Sequence, residues 1–517
     1  MTLSQSVPPP VRPEHNAAKS LNELARKFGC LRGDTVDDVE LRGLTVTTND
    51  VKPGDLFVGL PGLHHHGAEY AAKARELGAV AVLVDAAGEA DARASGLPVL
   101  VLDPLRERLG EIAGWFYDTS NTSVELFAVT GTNGKTSTVY IIEAILLQLG
   151  ESAGLSSTAQ RRFGPVELVS GLTTPEATEL HSLISRMNEE SIRAAAIEVS
   201  AQALSRHRVD GVIFDVAGFT NLSHDHLDDY FDLSTYLAAK AALFEPEHSR
   251  RAVISLDSKW GSDIVQGAGV PVTTVASEPG IAADWNVVVT AEHTSGVDFT
   301  LSSPDGRTLA TSISVIGKHM AANAGLAIAM LVDGGFDFAD IIAALERDGG
   351  IDVHPPGRTE RVSGDRGPAV YVDFGHSADA FTKTLDAVRQ VTRGKVIMVF
   401  GADGDRDATK RAAMARAAVA GSDVLVVTDH HPRFENPDSI RATLIDAARA
   451  ADPTREPIEV PDPKRAIRVA VELAQEGDSI LWAGPGHQNY RDIQGVHVPY
   501  SARHEAREAL AEAGWSA

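Results

Sequence analysis

A glycine-bracketed turn between an apolar run and an amphipathic run is the clearest chemical signal in the sequence. Residues 128–139 read Ala-Val-Thr-Gly-Thr-Asn-Gly-Lys-Thr-Ser-Thr-Val, and the amphipathic stretch Tyr140–Leu149 follows. A strand, loop and helix in this order direct backbone N–H groups toward an anion at the helix N-terminus. In such a loop Lys135 would contact the phosphates, and the Thr136 hydroxyl would bind Mg²⁺. ATP or GTP is therefore the first predicted ligand. Val129 stands where the full Walker pattern has glycine, and a glycine-rich turn without a nucleotide is the alternative.

A second set of charged residues follows another predicted strand. Glu198 ends the apolar run at 194–197, where its carboxylate is a hard oxygen ligand suited to Mg²⁺. Arg206 and Arg208 come shortly afterwards, on a predicted helix, and two arginines can clamp a second anion. The pattern indicates a metal and an anion close to the predicted nucleotide.

Two further features are more ambiguous. The loop at 221–228 carries two histidines and two aspartates, which suit a metal but are also common in capped polar loops. Lys240 stands in the otherwise apolar stretch 236–244, where a lysine usually extends its amine to water. Both features keep a structural interpretation beside the functional one.

The composition is that of a globular protein. At roughly 150 residues a domain, 517 residues predict two to four domains. A formal charge of −24 argues against nucleic acid as a partner, so anionic substrates must meet locally placed cations. Cys30 is the only cysteine, which excludes an internal disulfide and favours the reducing cytoplasm. Met1–Pro13 is polar and proline-rich, so we expect no signal peptide, and no apolar run approaches the roughly 18 residues of a membrane span.

The elements that must position these residues fall into three α/β segments. Short apolar runs alternate with helical pattern, as in parallel sheets with crossover helices. We expect a disordered start over 1–19 and domains at 20–111, 112–350 and 351–517. Beside a helix at Ala68–Leu77, the predicted strands are Leu56–Leu60, Val80–Val84, Val99–Leu102, Ala194–Ile197, Val212–Ala217, Ala252–Leu256, Ala369–Val372, Lys395–Phe400, Val424–Val427 and Ser479–Trp482.

Several motifs in a fixed order, from about residue 40 onward, resemble the Mur ligase family. These motifs are Thr130–Ser137, Glu198–Ser200, Asp225–Asp228, Lys240 within Tyr236–Phe244, Gly317–Asn323, Pro356–Arg358, Val372–His376, Gly404–Asp407 and Ala483–His487. The pattern is most similar to members that add the third amino acid to UDP-N-acetylmuramoyl-L-alanyl-D-glutamate. The resemblance implies an α/β protein with a small N-terminal α/β UDP-binding domain, a central P-loop ATPase domain with a mainly parallel sheet, and a C-terminal Rossmann-like domain.

The resemblance also implies the reaction, a step in peptidoglycan precursor synthesis. ATP would convert the D-glutamyl carboxylate into an acyl phosphate, and the amine of an amino acid would then displace phosphate to form an amide. Such chemistry depends mostly on positioning and on stabilising phosphoryl charge.

Site residues follow from the resemblance position by position. The implied ATP-binding residues are Gly131, Thr132, Asn133, Gly134, Lys135, Thr136, Ser137, Asn323, Arg358 and Asp373. The implied metal ligands are Thr136, Glu198, His226 and Lys240 as a carbamate, and the implied catalytic residues are Lys135, Lys240, His226 and Glu198. Carbamylation needs a neutral amine, which burial favours by lowering the pKa of lysine.

The other two substrates receive their own sets. The UDP-muramoyl-peptide set is Val46, Thr48, Thr173, Thr174, Ser200, Arg206 and Arg208, and the amino-acid set is Arg406, His430, His431, Arg433, Gly484 and Gln488.

The chain departs from the family pattern at several of these positions. Thr47–Asn49 replaces a common Asp-Ser-Arg, Gln202 replaces a histidine and Arg206 a glutamine. In the amino-acid pocket, His430-His-Pro-Arg433 replaces Asp-Asn-Pro-Arg, and Pro485 and Gln488 replace a lysine and a glutamate.

These departures leave the added amino acid open. Arg433 can still hold a distal carboxylate, whereas two negative charges that would pair with an ammonium are lost. We expect meso-diaminopimelate, with L-lysine, L-ornithine or another amino acid as alternatives.

Two other function classes remain open. One is another amide ligase of the superfamily, such as a folylpolyglutamate synthase or the ligase that adds D-alanyl-D-alanine, although Pro53–Gly62 favours a UDP-muramoyl substrate over a folate. The other is a non-catalytic homologue that binds a nucleotide sugar. The expected ligands are Mg²⁺, ATP, the UDP-muramoyl dipeptide and an amino acid. The expected protein is a cytoplasmic monomer with no nucleic-acid or membrane partner.

Overall fold

The computed structural model describes residues 11–32, 38–62, 64–225 and 229–516. Three large sheets, each flanked by helices, give the α/β, three-domain architecture that the sequence predicts. His226 and Asp228, two members of the predicted loop motif, lie outside the described residues. Among the residues that are described, no helix is long and apolar enough to cross a membrane.

The first sheet has five strands. In spatial order they are Leu31–Arg32, Val99–Val101, Ala81–Val84, Asp55–Gly59 and Gly43–Thr45. The helices of this part of the chain are Leu21–Phe28, Ala71–Leu77, Glu89–Ala94 and Leu105–Tyr117. Leu56 and Val58 pack into one apolar cluster and Phe57 into another, so the sheet is covered on both faces. This explains why the strands read as continuous apolar runs.

The helix Leu105–Tyr117 crosses the predicted domain boundary between residues 111 and 112. Its apolar side chains, among them Leu109 and Phe116, belong to the same cluster as Leu56 on the first sheet. We therefore propose that the first domain ends after Tyr117. The boundary between residues 350 and 351 stays a prediction.

The second sheet has eleven strands and is formed by the middle part of the chain. In spatial order they are Val166–Val169, Gln160–Phe163, Ala153–Ser156, Ala194–Glu198, Glu125–Thr130, Val216–Phe219, Ala252–Ser255, Val272–Ala276, Trp285–His293, Gly296–Ser302 and Thr308–Ile313. The run from Ala153–Ser156 to Trp285–His293 is parallel, and both edges are antiparallel. The helices are Lys135–Gln148, Ala177–Glu189, Ala201–Ser205, Leu233–Ala241, Lys259–Gly267, Lys318–Asp333 and Phe338–Asp348.

The third sheet is smaller and has six strands. Their spatial order is Glu360–Arg361, Ala369–Asp373, Ser479–Ala483, Val396–Phe400, Val424–Val427 and Ile458–Glu459. Every pairing is parallel except that of the short edge strand Glu360–Arg361. The helices are Ala378–Val391, Arg411–Gly421, Pro437–Ala451, Pro463–Leu473 and Ala502–Glu512.

Shorter elements complete the chain. Two small antiparallel pairs join Lys19–Ser20 to Glu40–Leu41 and Tyr490–Ile493 to Val496–Pro499. The single-turn 3₁₀ helices are Thr48–Asp50, Gly67–Tyr70, Ala86–Gly88, Thr119–Asn121, Ala242–Phe244 and Ala408–Lys410.

The predicted strands are confirmed to within one or two residues, apart from the apolar run Val212–Ala217. The strand there is Val216–Phe219, and Val212 and Phe214 are buried in the approach to it. The reason is that burial of a connecting loop gives the same apolar signal as a strand.

The segment at 11–19, within the stretch predicted to be disordered, makes defined contacts. Arg12 donates to both carboxylate oxygens of Asp55 at 2.6 and 2.7 Å. Ser182 donates to the carbonyl of Val11 at 2.7 Å, and the backbone N–H groups of Glu14 and His15 bond the carboxylate of Glu189. The segment therefore ties the first sheet to the helix Ala177–Glu189 of the central domain.

The Arg12–Asp55 pair generates a prediction about stability. The side chain of Asp55 is 1% exposed and that of Arg12 is 13% exposed, so Arg12→Ala leaves a buried carboxylate without its cationic partner. We expect the free energy of unfolding to fall by about 3 kcal/mol, measured by urea denaturation. Arg42→Ala is the control, because Arg42 is 71% exposed and pairs with Glu40 only at 4.0 Å. Equal losses in the two variants would contradict the prediction.

Candidate active site

One long cleft of about 1450 Å³ collects residues that follow strands of both the central and the C-terminal sheets. Asn133 and Glu198 come from the central sheet, and Asp373, Asp403 and Gly484 come from the C-terminal sheet. The carboxyl ends of parallel strands are the usual ligand-binding edge of such sheets. A smaller cavity of about 270 Å³ adjoins it and shares the wall formed by Leu168, Val169, Gly171 and Leu172.

The glycine-bracketed turn has the predicted strand, loop and helix around it. Gly131 and Gly134 have φ of +147° and +90°, a region that side chains rarely adopt. A Cβ at Gly131 would also collide with Thr220 Oγ1, and one at Gly134 would lie 2.8 Å from Asn323 Oδ1. Lys135 Nζ donates to the carbonyls of Gly131 and Thr132 at 3.0 and 2.9 Å. Burial lowers the pKa of Lys135.

Glu198 lies at the centre of a buried polar network. Its side chain is 2% exposed, and Thr136 Oγ1 donates to Oε2 at 2.9 Å. Thr158 donates to the same carboxylate through its backbone N–H at 2.9 Å and its hydroxyl at 3.0 Å. Lys135 Nζ is 3.9 Å from Oε1, and Arg358 Nη2 donates to Thr136 Oγ1 at 2.8 Å. The phosphate loop, Glu198 and Arg358 therefore meet at one point.

Lys240 is buried rather than extended to water. Its side chain is among the fully buried ones, and Nζ donates to the carbonyl of Gly131 at 2.8 Å and lies 4.3 Å from the centre of the Tyr236 ring. Burial, with the nearby charge of Lys135, lowers the pKa of Lys240 well below its usual value. The neutral amine that carbamylation requires is therefore favoured.

The other predicted ATP-binding residues Asn323, Ser137 and Asp373 line the same cleft. Asn323 lies against Gly134, and Ser137 follows on the first turn of the phosphate-loop helix. Asp373 ends its strand with Oδ2 accepting from the Thr359 N–H at 2.7 Å and Oδ1 accepting from the Gly375 N–H at 2.6 Å. These backbone bonds fix the carboxylate in the cleft.

The residues predicted for the UDP-muramoyl peptide are divided between the two cavities. Val46 lines the smaller cavity, and Thr173, Ser200 and Arg208 line the cleft. Arg208 Nε lies 2.9 Å from Glu176, which already balances its charge. The structure does not bring every predicted member into the cavities, because Thr48, Thr174 and Arg206 line neither.

These three residues have other contacts. Thr174 is buried and orders the turn after Glu198, accepting from the Ser200 N–H at 3.0 Å and donating to the Glu198 carbonyl at 2.9 Å. Arg206 lies 3.4 Å from Asp229, and Thr48 begins a 3₁₀ helix.

The far end of the cleft holds the predicted amino-acid residues. Arg406, His430, Arg433, Gly484 and Gln488 line it, and His431 lies behind them with Nε2 2.8 Å from Gln488 Oε1. A carboxylate that the sequence analysis did not include also lines this end. Asp403 accepts from His430 Nδ1 at 2.7 Å and lies 3.6 Å from Arg433 Nη2.

Polar contacts join the central domain to the C-terminal domain across the cleft. Asn133 Nδ2 donates to Asp379 at 2.9 Å, and Lys410 Nζ donates to Asp225 at 2.8 Å. With the bond from Arg358 to Thr136, these contacts hold the two sheet edges face to face. The cleft is thus a composite of two domains.

Comparison with known proteins identifies the family. Three family descriptions match the chain in order: "Mur ligase family, catalytic domain" over residues 40–117, "Mur ligase middle domain" over 129–331 and "Mur ligase, glutamate ligase domain" over 357–486. A UDP-N-acetylmuramyl-tripeptide synthetase of Leifsonia xyli subsp. xyli is 56% identical, across 99% of this chain and 100% of its own. The chain belongs to the Mur ligase family. Members of this family are ATP-dependent amide ligases, and this Mur ligase is an enzyme of that class.

Two other similar proteins cover nearly all of the Mur ligase described here. A UDP-N-acetylmuramoyl-L-alanyl-D-glutamate–2,6-diaminopimelate ligase of Streptomyces avermitilis is 40% identical, across 97% of this chain and 98% of its own. A solved structure of a ligase with the same name has a TM-score of 0.63 at 25% identity, and the match covers 97% of this chain and 100% of that one.

Several polar residues of this ligase's cleft were not predicted from the sequence, among them Asp403, Thr158 and Lys410. Asp403 follows the strand Val396–Phe400, so its position after a buried strand was a usable signal. Thr158 and Lys410 carry no comparable signal, because their partners Glu198 and Asp225 are 40 and 185 residues away. His226, predicted as a metal ligand, lies outside the described part of the chain.

The phosphate loop generates a prediction that separates backbone strain from a local collision. Gly134→Ala introduces both, whereas Gly150→Ala, after the other end of the same helix, has φ of +84° and no atom within 4 Å of a new Cβ. We expect both variants to lose about 1–2 kcal/mol of stability. Only Gly134→Ala should lower kcat/KM for ATP, by at least about tenfold, because Asn323 must move.

Phosphate release and thermal unfolding measure the two effects. Similar kcat/KM values for ATP in the Gly134→Ala and Gly150→Ala ligases would show that the contact with Asn323 has no part in nucleotide binding.

Proposed function

We propose that this Mur ligase adds an amino acid, with meso-diaminopimelate as the leading substrate, to UDP-N-acetylmuramoyl-L-alanyl-D-glutamate in peptidoglycan precursor synthesis. The observation that carries the proposal is the continuous cleft. It runs from the phosphate loop to the charged set around Arg433, and it shares the wall of Leu168, Val169, Gly171 and Leu172 with the cavity at Val46. Three ligands can thus lie end to end, with the reacting groups in the middle.

The chemistry has two steps. A carboxylate oxygen of the D-glutamyl residue attacks the γ-phosphorus of ATP, the bond to the β,γ-bridging oxygen breaks, and ADP leaves. The neutral amine of the amino acid then attacks the acyl carbon of the acyl phosphate, phosphate leaves with the bonding electrons, and a proton is lost from nitrogen. Catalysis consists mainly of holding three ligands in line and stabilising the phosphoryl oxygens.

Lys135 and Arg358 are the cations proposed to stabilise the phosphoryl group. Lys135 begins the helix behind the phosphate loop, and Arg358 reaches Thr136 from the C-terminal domain. The Arg358 guanidinium is held over the Phe374 ring, 4.5 Å from its centre, which fixes its direction. Two cations from two domains therefore converge where charge develops.

The donor set around Glu198 fits Mg²⁺. A buried carboxylate and the Thr136 hydroxyl are hard oxygen donors, the kind that Mg²⁺ prefers. Thr136 and Glu198 would hold the ion, with His226 and the carbamate of Lys240 added by the family resemblance. When bound, Mg²⁺ supplies positive charge beside the phosphoryl oxygens.

The named relatives support the substrate. The Streptomyces protein is named for 2,6-diaminopimelate, whereas the name of the more similar Leifsonia protein specifies a tripeptide and no amino acid. Arg433 lines the cleft and is the residue proposed to pair with a distal carboxylate. Diaminopimelate provides that carboxylate, and L-lysine does not.

A competition assay tests this function. With ATP, Mg²⁺ and UDP-N-acetylmuramoyl-L-alanyl-D-glutamate, we expect meso-diaminopimelate to be incorporated in preference to L-lysine and L-ornithine at equal concentrations, measured by mass spectrometry of the products. A singly carboxylated amino acid brings no distal carboxylate to Arg433, and the charge-assisted hydrogen bond that is then missing is worth about 1–3 kcal/mol. Lys135→Ala should form no product, and Lys73→Ala, whose side chain is 59% exposed, should match the wild type. Preference for L-lysine or L-ornithine would overturn the choice of amino acid.

A second prediction concerns Lys240, which we propose to be carbamylated. Incubation with ¹³C-bicarbonate should give one carbamate carbon signal by NMR in the wild type and none in Lys240→Met, which keeps the chain length without the amine. Lys240→Ala should be nearly inactive, unresponsive to bicarbonate, and partly restored by formate, whose carboxylate fits the space left. The same carbamate signal in Lys240→Met would show that Lys240 is not the modified residue. Full activity of Lys240→Ala would show that the modification is not required for the reaction.

A further inference from the structure

The carboxylate of Asp403 lies next to His430 and His431, the two histidines that replace the Asp-Asn of the family pattern. Asp403 follows the strand Val396–Phe400, and its side chain is 27% exposed to the cleft. Burial alone would raise its pKa, but the hydrogen bond from His430 and the charge of Arg433 hold the pKa of Asp403 well below its usual range. Asp403 therefore carries a negative charge at neutral pH where it lines the cleft.

His431 does not share this charge. Its Nδ1 accepts from the backbone N–H of Asp492 at 2.8 Å, so Nε2 carries the proton and donates to Gln488 at 2.8 Å. Burial lowers the pKa of His431 to about 3, and the ring is neutral. Asp403, His430 and His431 stand close enough to suggest a metal site, but both nitrogens of His431 are already used.

His430 leaves one nitrogen available. Its Nδ1 donates to Asp403, and its buried Nε2 has no hydrogen-bond partner among the described residues. This nitrogen faces Gly484, where a Cβ would lie 3.6 Å away. With Nδ1 donating to Asp403, the tautomer that holds its single proton there presents Nε2 as an acceptor, so this corner offers a carboxylate and an imidazole nitrogen to a donor with several N–H groups.

Arg433 lies beside Asp403 and His430 but makes only a long contact with Asp403. Its guanidinium is 3.6 Å from both Asp403 and Asp492, and the side chain is 24% exposed. Ion pairs that also form a hydrogen bond have N···O distances of about 2.7–2.9 Å, so these contacts at 3.6 Å are longer than such pairs. Both Asp403 and Arg433 can therefore accept a ligand partner of opposite charge.

We propose that Asp403 selects a distal ammonium on the incoming amino acid, replacing the carboxylates that His430 and Gln488 have displaced from the family positions. The inference rests on the proposed function and deepens it. Asp403 with His430 Nε2 receives the ammonium, and Arg433 receives a distal carboxylate when there is one. Meso-diaminopimelate has both groups, L-lysine has only the ammonium, and L-2-aminopimelate has only the carboxylate.

Steady-state kinetics with these three amino acids tests the assignment. Asp403→Asn keeps the shape and removes the charge, so kcat/KM should fall about 10- to 100-fold for meso-diaminopimelate and L-lysine. It should change less than about threefold for L-2-aminopimelate, since no charge pair is lost with that substrate. For an analogue that is not turned over, the inhibition constant against meso-diaminopimelate replaces kcat/KM.

The reciprocal variant and a surface control complete the design. Arg433→Gln should lower kcat/KM for meso-diaminopimelate and weaken the binding of L-2-aminopimelate, and it should leave kcat/KM for L-lysine unchanged. Asp446→Asn, an aspartate of the same domain that is 79% exposed, should change none of the three. The KM for ATP should stay unchanged in Asp403→Asn, because the side-chain contacts of Asp403 described here are to His430 and Arg433 and not to the phosphate loop.

The outcomes separate the two proposals. Equal losses for all three amino acids in Asp403→Asn would show that the residue only supports the pocket, and would overturn this inference while leaving the ligase reaction intact. No turnover of any of the three by the wild type, with ATP and the UDP-muramoyl dipeptide present, would overturn the proposed function and this inference with it.

Discussion

The active-site region is organised around one buried carboxylate, that of Glu198. A carboxylate taken out of water is costly unless donors surround it, so the chain must bring those donors to the end of one central strand. Thr136 comes from the phosphate-loop helix and Thr158 from the neighbouring strand connection. Arg358 then reaches Thr136 from another domain. Satisfying Glu198 therefore fixes the phosphate loop, the edge of the central sheet and the approach of the C-terminal domain together.

The fold was largely predictable because its strands are parallel and covered on both faces. Such strands are continuous apolar runs, and most of the predicted site lies at their last residues, such as Glu198 and Asp373, or just after them, such as Gly484. The antiparallel edge strands were not predicted. Val166–Val169 alternates between half-buried and exposed side chains, and its pairing partner, not its own composition, makes it a strand.

The parts of the site that the sequence could not predict depend on contacts between distant residues. Arg358 and Thr136 are 222 residues apart, and Lys410 and Asp225 are 185 apart, so periodicity within a short window holds no information about either pair. The amino-acid pocket makes the same point for charge. Compared with the family pattern, the pocket lacks two carboxylates, because His430 and Gln488 stand at those positions. Asp403, on another loop, brings one carboxylate next to His430.

The wall shared by the two cavities has a thermodynamic consequence. Leu168, Val169, Gly171 and Leu172 face the smaller cavity on one side and the cleft on the other. Val169 and Leu172 are 59% and 41% exposed, and Val166–Val169 is an edge strand with one neighbour, so few contacts resist its displacement. A ligand that orders this wall from one side removes part of the entropy cost of binding on the other. By linkage any such effect is reciprocal, so the factor by which one ligand changes affinity in the other cavity is the same in both directions.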